Sequence, residues 1–301
     1  QTVTQPTAIS QCVAAAVQPT NTNHASCVNI TTMPDASSKV KTSLVAAGKR
    51  LAICADDFGM SAGINAGILE LARLGRLSAV SCLVQGPALS EQVSLLALLP
   101  VDIGLHLNFT EAFVRGQFCF SLPRLISACY LQQLPKSLIT ATIDSQLDGF
   151  ETRFGRPPDF IDGHQHVHQL PLIREQLLEC IAQRYPTRSL WLRSTQTARH
   201  LTVDRGKRLK ARIIACLGAR TMRRLADAQG LPMNRHLLGV YGFSASPEEY
   251  RRMLMSWFVD AADGDLLMCH PASAIEAGDP IGQQRMRELS VFADSRFPYW
   301  I

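Results

Sequence analysis

No apolar run in this 301-residue sequence approaches the ~18 residues that a membrane-spanning helix needs, which argues against an integral membrane protein. No C-x-x-C pair occurs, which argues against a zinc ribbon or a redox dithiol. The nine cysteines are odd in number and irregularly spaced, so a disulfide framework is a poor fit; free thiols in a reducing cytoplasm fit better. No internal repeat is apparent. Charged residues are only 18% of the chain, and the net charge of +5 permits acidic partners without demanding them.

Residues 1–48 are rich in Thr, Ala, Ser, Asn and Gln, poor in charge and aromatics, and lack periodicity. Such a segment buries too little apolar surface to order itself, and it reads as a disordered extension. A basic start followed by a continuous apolar stretch, the mark of a signal peptide, is missing.

From Leu51 onward the pattern changes. Strand-like runs at Leu51–Ala55, Ala79–Val84, Val101–Leu105, Phe160–Ile161, Leu190–Leu192, Leu237–Tyr241 and Leu266–Cys269 alternate with helical periodicities. Ile64, Ile68, Leu71 and Leu74 follow Ser61, an N-cap candidate, and Pro247 follows Ser246 in the same role. Further helices are expected over 91–99, 138–154, 172–184, 205–217 and 283–292. Strands alternating with helices call for a parallel sheet. The expectation for 49–301 is therefore an α/β fold, a TIM-barrel-like (β/α) barrel one strand short of eight; an open doubly wound sheet is the runner-up.

Polar motifs fall just after the strands, at the rim where barrel active sites are built. Asp56 and Asp57 leave the first strand in a Gly-containing turn, so one carboxylate is suited to a metal and the other to its water; a pair of helix-capping aspartates is the plain alternative. His106 ends a second strand between leucines. Asp162 precedes His164, His166 and His168, and in an extended segment such alternate residues share a face. Mixed Asp and His donors suit zinc and related divalent ions. Any of the three histidines can be the ligand on this reading, with the others touching sugar or lying behind it, and Asp162 can orient a ligand ring. His270 closes the last strand with an imidazole suited to protonating a leaving amine. Arg193 is a candidate clamp for a substrate oxygen, or else a partner for a rim carboxylate.

Ala-Asp-Asp-Phe-Gly at 55–59, Gly-Leu-His-Leu at 104–107 and Asp-Gly-His-Gln-His-Val-His at 162–168, in this order, resemble the YdjC-like (ChbG/HpnK) carbohydrate deacetylases. His270-Pro271, followed by Asp279, Arg287 and Glu288, is similar to that family's C-terminal pattern. The resemblance implies one divalent metal, magnesium or zinc, held by Asp57, His106 and His164, with Asp56 as general base and His270 as acid. It implies an N-acetylated sugar as substrate, either a chitooligosaccharide or lipid-linked N-acetylglucosamine. Glu111-Ala112 stands where many relatives carry Gly, a change at the substrate mouth. Hydrolysis of another bond such as a phosphoester, or noncatalytic sugar binding, are the competing functions.

Residues 199–224 carry nine Arg and Lys against Asp204. A solvated helix face with Ile213, Ile214 and Leu217 turned inward accounts for them. Peripheral contact with a membrane surface is the sharper alternative. Nucleic acid is not expected as a partner, because no aromatics interleave with the cations. Barrels of this kind often form homo-oligomers, but no interface signal is evident.

Overall fold

The structure, a computed structural model, describes residues 44–46, 49–113, 116–187, 190–198 and 201–300. The expected disorder of residues 1–48 therefore lies outside the described residues, except at Leu44–Ala46. That segment departs from the expectation: it is a short strand, β1 (Leu44–Ala46), antiparallel to β2 (Lys49–Phe58).

The remaining strands are β3 (Ala79–Cys82), β4 (Asp102–Leu107), β5 (Phe160–Gly163), β6 (Trp191–Leu192), β7 (Leu237–Leu238) and β8 (Asp265–Cys269). With β2 they make seven parallel strands in the order β6-β5-β4-β3-β2-β8-β7. All seven strand-like runs of the sequence are present. The expected helices form too, as 62–73, 89–97, 136–154, 173–184, 205–216, 247–260 and 282–292. Ser61 Oγ accepts from the Ile64 amide, and Ser246 and Glu249 close a capping box ahead of Pro247. The helices Leu122–Tyr130 and Ala219–Ala228 were not expected from periodicity.

The sheet curls. Ala52, Cys54, Phe160, Trp191, Leu237, Leu266 and Met268 form one buried cluster, although β6 and β7 are its outermost strands. Side chains from both ends of a sheet meet only on a concave face. The two edges approach through Leu192, which bridges Met233, and through the Leu237 amide, which donates to Gln196 O at 2.7 Å. The convex face, with Leu51, Ile53, Val80, Ile103 and Leu105, packs against the helices in the larger core.

Alternation along each strand then determines what the concave face carries at its C-terminal end. Ala52 and Cys54 lead to Asp56, Ala79 to Ser81, Gly104 to His106, Phe160 to Asp162, Trp191 to Arg193, and Met268 to His270. Below this polar rim Phe160 stacks on Trp191 with ring centroids 4.1 Å apart. Gly104 makes room for the stack, because a Cβ there would come within 2.4 Å of the Phe160 ring.

Candidate active site

The rim opens into a cavity of about 640 Å³, bordered by Asp56, Asp57, His106, His164, His166 and His270. Strict alternation cannot aim both Asp56 and Asp57 at one place. A register shift between Ala55 and Phe58 breaks it, and Asp57 takes the left-handed conformation at φ 73°. A bulge of this kind re-aims a side chain beside a site. Gly59 (φ 101°) completes the turn, where a Cβ would meet Leu83 O at 2.7 Å.

Asp57 Oδ1 lies 3.0 Å from His164 Nδ1 and 3.4 Å from His106 Nε2, and one donor atom from each of the three falls within 4.8 Å of the others. The other Asp57 oxygen accepts from Arg285 Nη2 at 2.7 Å, and Arg285 Nε in turn reaches Asp279 at 2.7 Å. Burial pushes the Asp57 carboxyl up, but Arg285 and the two imidazoles outweigh it and hold the group well below the usual carboxylate range. An ionised carboxylate and two imidazoles from three strand ends are a donor set that suits a divalent ion. His106 is oriented from behind: its Nδ1–H donates to Asp162 Oδ1 at 2.6 Å, which leaves Nε2 free to face Asp57. Ser81 Oγ donates to the same Asp162 oxygen at 2.5 Å.

A second acidic group, Cys54, Asp56 and Asp162, is not a metal site of the same kind, because the Arg193 guanidinium fills it. Nη1 and Nη2 each stand 2.6 Å from an oxygen of Asp56, Nη2 is 3.0 Å from Cys54 Sγ, and Asp162 Oδ2 makes an ionic contact at 2.5 Å. Arg193 therefore differs from a substrate clamp. It is fully buried, and its charge is spent on carboxylates of the protein.

The triple histidine also differs from its expected arrangement. The segment is not extended: His164–Gln169 forms a 3-10 turn in which Gln165 and His166 have φ of 52° and 63°. The three rings consequently diverge. His164 joins Asp57, while His166 borders the cavity. His168 turns under the rim, where its Nε2–H donates to Arg193 O at 2.9 Å. His168 is fully buried and does not reach the cavity, so the expected sugar contact is not available to it. Burial pulls His168 down to about 4 and His166 well below the usual imidazole range, so both rings are neutral at neutral pH.

His270 Nε2 is 3.8 Å from Asp56 Oδ2, and Phe243 meets the ring edge-on with centroids 5.1 Å apart. Burial, with help from Arg285, pulls the imidazole down to about 4 against the pull of Asp56 and Asp57. Its backbone N–H donates at 2.6 Å to Glu288, which also accepts from Tyr241 Oη. Burial pushes Glu288 up to about 7. Glu111, the departure at the substrate mouth, is half-exposed, with its carboxylate 3.6 Å from His164 Nε2.

Sequence reasoning missed Arg285 and picked Arg287, whose guanidinium instead donates to Ala245 O. A helical phase held the signal: Arg285, Glu288 and Phe292 recur on the buried side of Gly282–Phe292, and Arg287 does not.

The sequence profile of the YdjC-like protein family matches residues 50–301, and the chain belongs to that family. Among its relatives are the chitooligosaccharide deacetylase of Enterobacter sp. (strain 638), 34% identical over 136 residues, and the carbohydrate deacetylase of Mus musculus, 28% identical over 183 residues. These alignments cover 42% and 53% of this chain, and the chain spans 52% and 59% of the two relatives. A crystal structure from Enterococcus faecalis V583, named for cellobiose-phosphate cleavage, superposes with a TM-score of 0.60 at 20% identity, covering 83% of this chain and 93% of that one. That likeness supports the fold.

Proposed function

We propose that this chain is a metal-dependent hydrolase that removes the N-acetyl group from an acetylated amino sugar. The observation that carries the reading is the adjacency of two arrangements in one cavity: the donor set Asp57, His106 and His164, and, beside it, Asp56 with His270. A binding module has no use for a buried carboxylate and an imidazole next to a metal site. The names of the relatives point the same way.

Asp57, His106 and His164 would hold one divalent ion, zinc or magnesium. Bound there, it would supply Lewis acidity, acidifying water and polarising the acetamide carbonyl. Asp56 accepts the proton of the attacking water, and the two-pronged contact with Arg193 holds its carboxylate in position. His270 delivers a proton to the nitrogen as the C–N bond breaks, leaving acetate and a free amine. Because His270 rests neutral, that proton is acquired during turnover, and Asp56 at 3.8 Å is the nearest acidic group on the cavity wall. Of the three histidines at 164, 166 and 168, His166 borders the cavity without joining the donor set, which supports it as the one that contacts the sugar. Apolar walls from Met60, Phe113, Leu122 and Phe243 suit sugar-ring faces or an apolar aglycone, so chitooligosaccharides and lipid-linked N-acetylglucosamine are both candidate substrates.

Phosphoester hydrolysis is less well served, because the guanidiniums of Arg193 and Arg285 are both paired with carboxylates of the protein. The described cysteines are free and mostly buried, which supports a cytoplasmic setting. No helix among the described residues is long and apolar enough to cross a membrane.

The test is acetate release from N-acetylglucosamine oligomers of increasing length, by protein stripped with chelator and resupplied with zinc, magnesium or cobalt. Metal-restored release that vanishes in Asp57→Ala supports the reading and gives the preferred length. Stoichiometric metal binding without release from any free or lipid-linked acetylated sugar would overturn it.

A further inference from the structure

The basic segment does not pack as its composition suggests. Over Arg205–Cys216 the helix buries only Ala211 fully, and Ile213, expected to face inward, is 56% exposed. Leu209 is 60% exposed. At 3.6 residues per turn, two adjacent stripes run along this helix. Lys210, Ile214 and Leu217 form one, and they border the cavity. Leu209, Ile213 and Cys216 form the other, one residue out of phase, and they face solvent. Arg205 and Arg212 run along one side of the exposed stripe, and Arg220 and Arg224 follow on the next helix, all four exposed. Among the described residues none of these four arginines makes an ion pair, whereas Lys207 is paired with Asp204.

A large apolar side chain facing water costs hydrophobic free energy, and unpaired cations around it leave a local positive field. Each feature alone is ordinary on a protein surface. Their combination, an exposed aliphatic stripe with unpaired cations beside it, is that of a helix lying in a lipid headgroup region. Aliphatic side chains at the centre favour lipid over nucleic acid, whose bases stack on aromatic rings.

We infer that the exposed face of Arg205–Cys216 docks on an anionic lipid surface, with Leu209 and Ile213 entering the headgroup boundary and Arg205, Arg212, Arg220 and Arg224 meeting lipid phosphates. The stripe adjoins the residues that border the cavity, so docking sets the cavity mouth at the membrane. The inference does not depend on the proposed chemistry, because its readout is binding.

The experiment is cosedimentation of the full chain with phosphatidylcholine vesicles, with and without phosphatidylglycerol, at low and high salt. The chain is expected to pellet with the anionic vesicles at low salt and to be released at high salt. Leu209→Ser/Ile213→Ser, substitutions at exposed positions, should weaken that binding about tenfold or more. Acetate release from a soluble oligomer should be unchanged in this variant, which separates failure of docking from failure of the catalytic reading. Absence of pelleting at low salt would overturn the inference, as would binding that the double substitution leaves intact. Concentration-dependent dimers in sedimentation velocity that the substitution abolishes would overturn it as well, assigning the stripe to a second copy. So would salt-sensitive binding of a single-stranded oligonucleotide in place of vesicles.

Discussion

Arg193 aligns its two terminal nitrogens with the two carboxylate oxygens of Asp56, each pair 2.6 Å apart and sealed from solvent. The same guanidinium contacts Asp162, which orients His106, so the carboxylate proposed as base and the imidazole proposed as ligand share one buried cation. Buried charges in such a chain depend on each other, and removing one leaves others uncompensated.

Arg193→Met should therefore destabilise the protein by about 3–5 kcal/mol, because it strands two buried carboxylates. The denaturant midpoint checks this. Arg193→Lys keeps the charge but loses the two-pronged geometry. It should bind metal and lose most turnover, and normal turnover would show that Arg193 does not position Asp56.

Removal of each carboxylate should have a distinct signature. Asp57→Ala should abolish stoichiometric metal binding. Asp56→Asn should retain metal and lose acetate release. Asp162→Asn should weaken metal affinity by roughly 10–100-fold, because it frees the His106 ring to rotate or change tautomer. Competition with a chelating indicator measures the first and third effects.

Gly104→Ala should cost roughly 1–3 kcal/mol, since its Cβ meets the Phe160 ring. Phe160→Leu in the same chain should recover part of that loss, making the pair non-additive in thermal or denaturant unfolding. Full additivity would place the strain elsewhere.

Glu288 links stability to pH. Burial raises its pKa from 4.5 to about 7, against the backbone N–H of His270, Tyr241, Arg285 and Tyr250, which favour ionisation. Between these values the native state holds a proton that the unfolded chain has released. Stability from this group thus falls as pH rises from about 4.5 to 7, and the penalty is complete above that range. Glu288→Gln should remove the dependence and gain relative to wild type on going from pH 5 to pH 8, by an amount on the order of 3 kcal/mol. Parallel stability profiles for the two proteins would refute the shift.

Much of the fold was legible because it rests on local periodicity. Apolar runs mark β2 to β8, and Ser61 and Ser246 mark helix starts whose caps are present. Helix Ala219–Ala228 was not legible: its residues are dominated by Arg and Ala, and Met222 and Ala226 are too weak a pattern to announce a buried side. The strand Leu44–Ala46 exists only by pairing with β2, and a three-residue strand carries no periodicity of its own.

At the site, the sequence by itself determined which side chains reach the rim. Alternation along a strand is set by backbone geometry, so Asp56, His106, Asp162, Arg193 and His270 are placed on one face wherever the strands lie. Tertiary structure alone decided what each group does there. The bulge at Asp57 and the left-handed pair Gln165–His166 break local periodicity, and such breaks follow from packing across the sheet. Asp56 lies 137 residues from Arg193 and Asp57 lies 228 from Arg285, and the burial that sets the charge of His270 and Glu288 likewise comes from the whole fold. Contacts and dielectric are properties of the folded whole, and no local pattern encodes them.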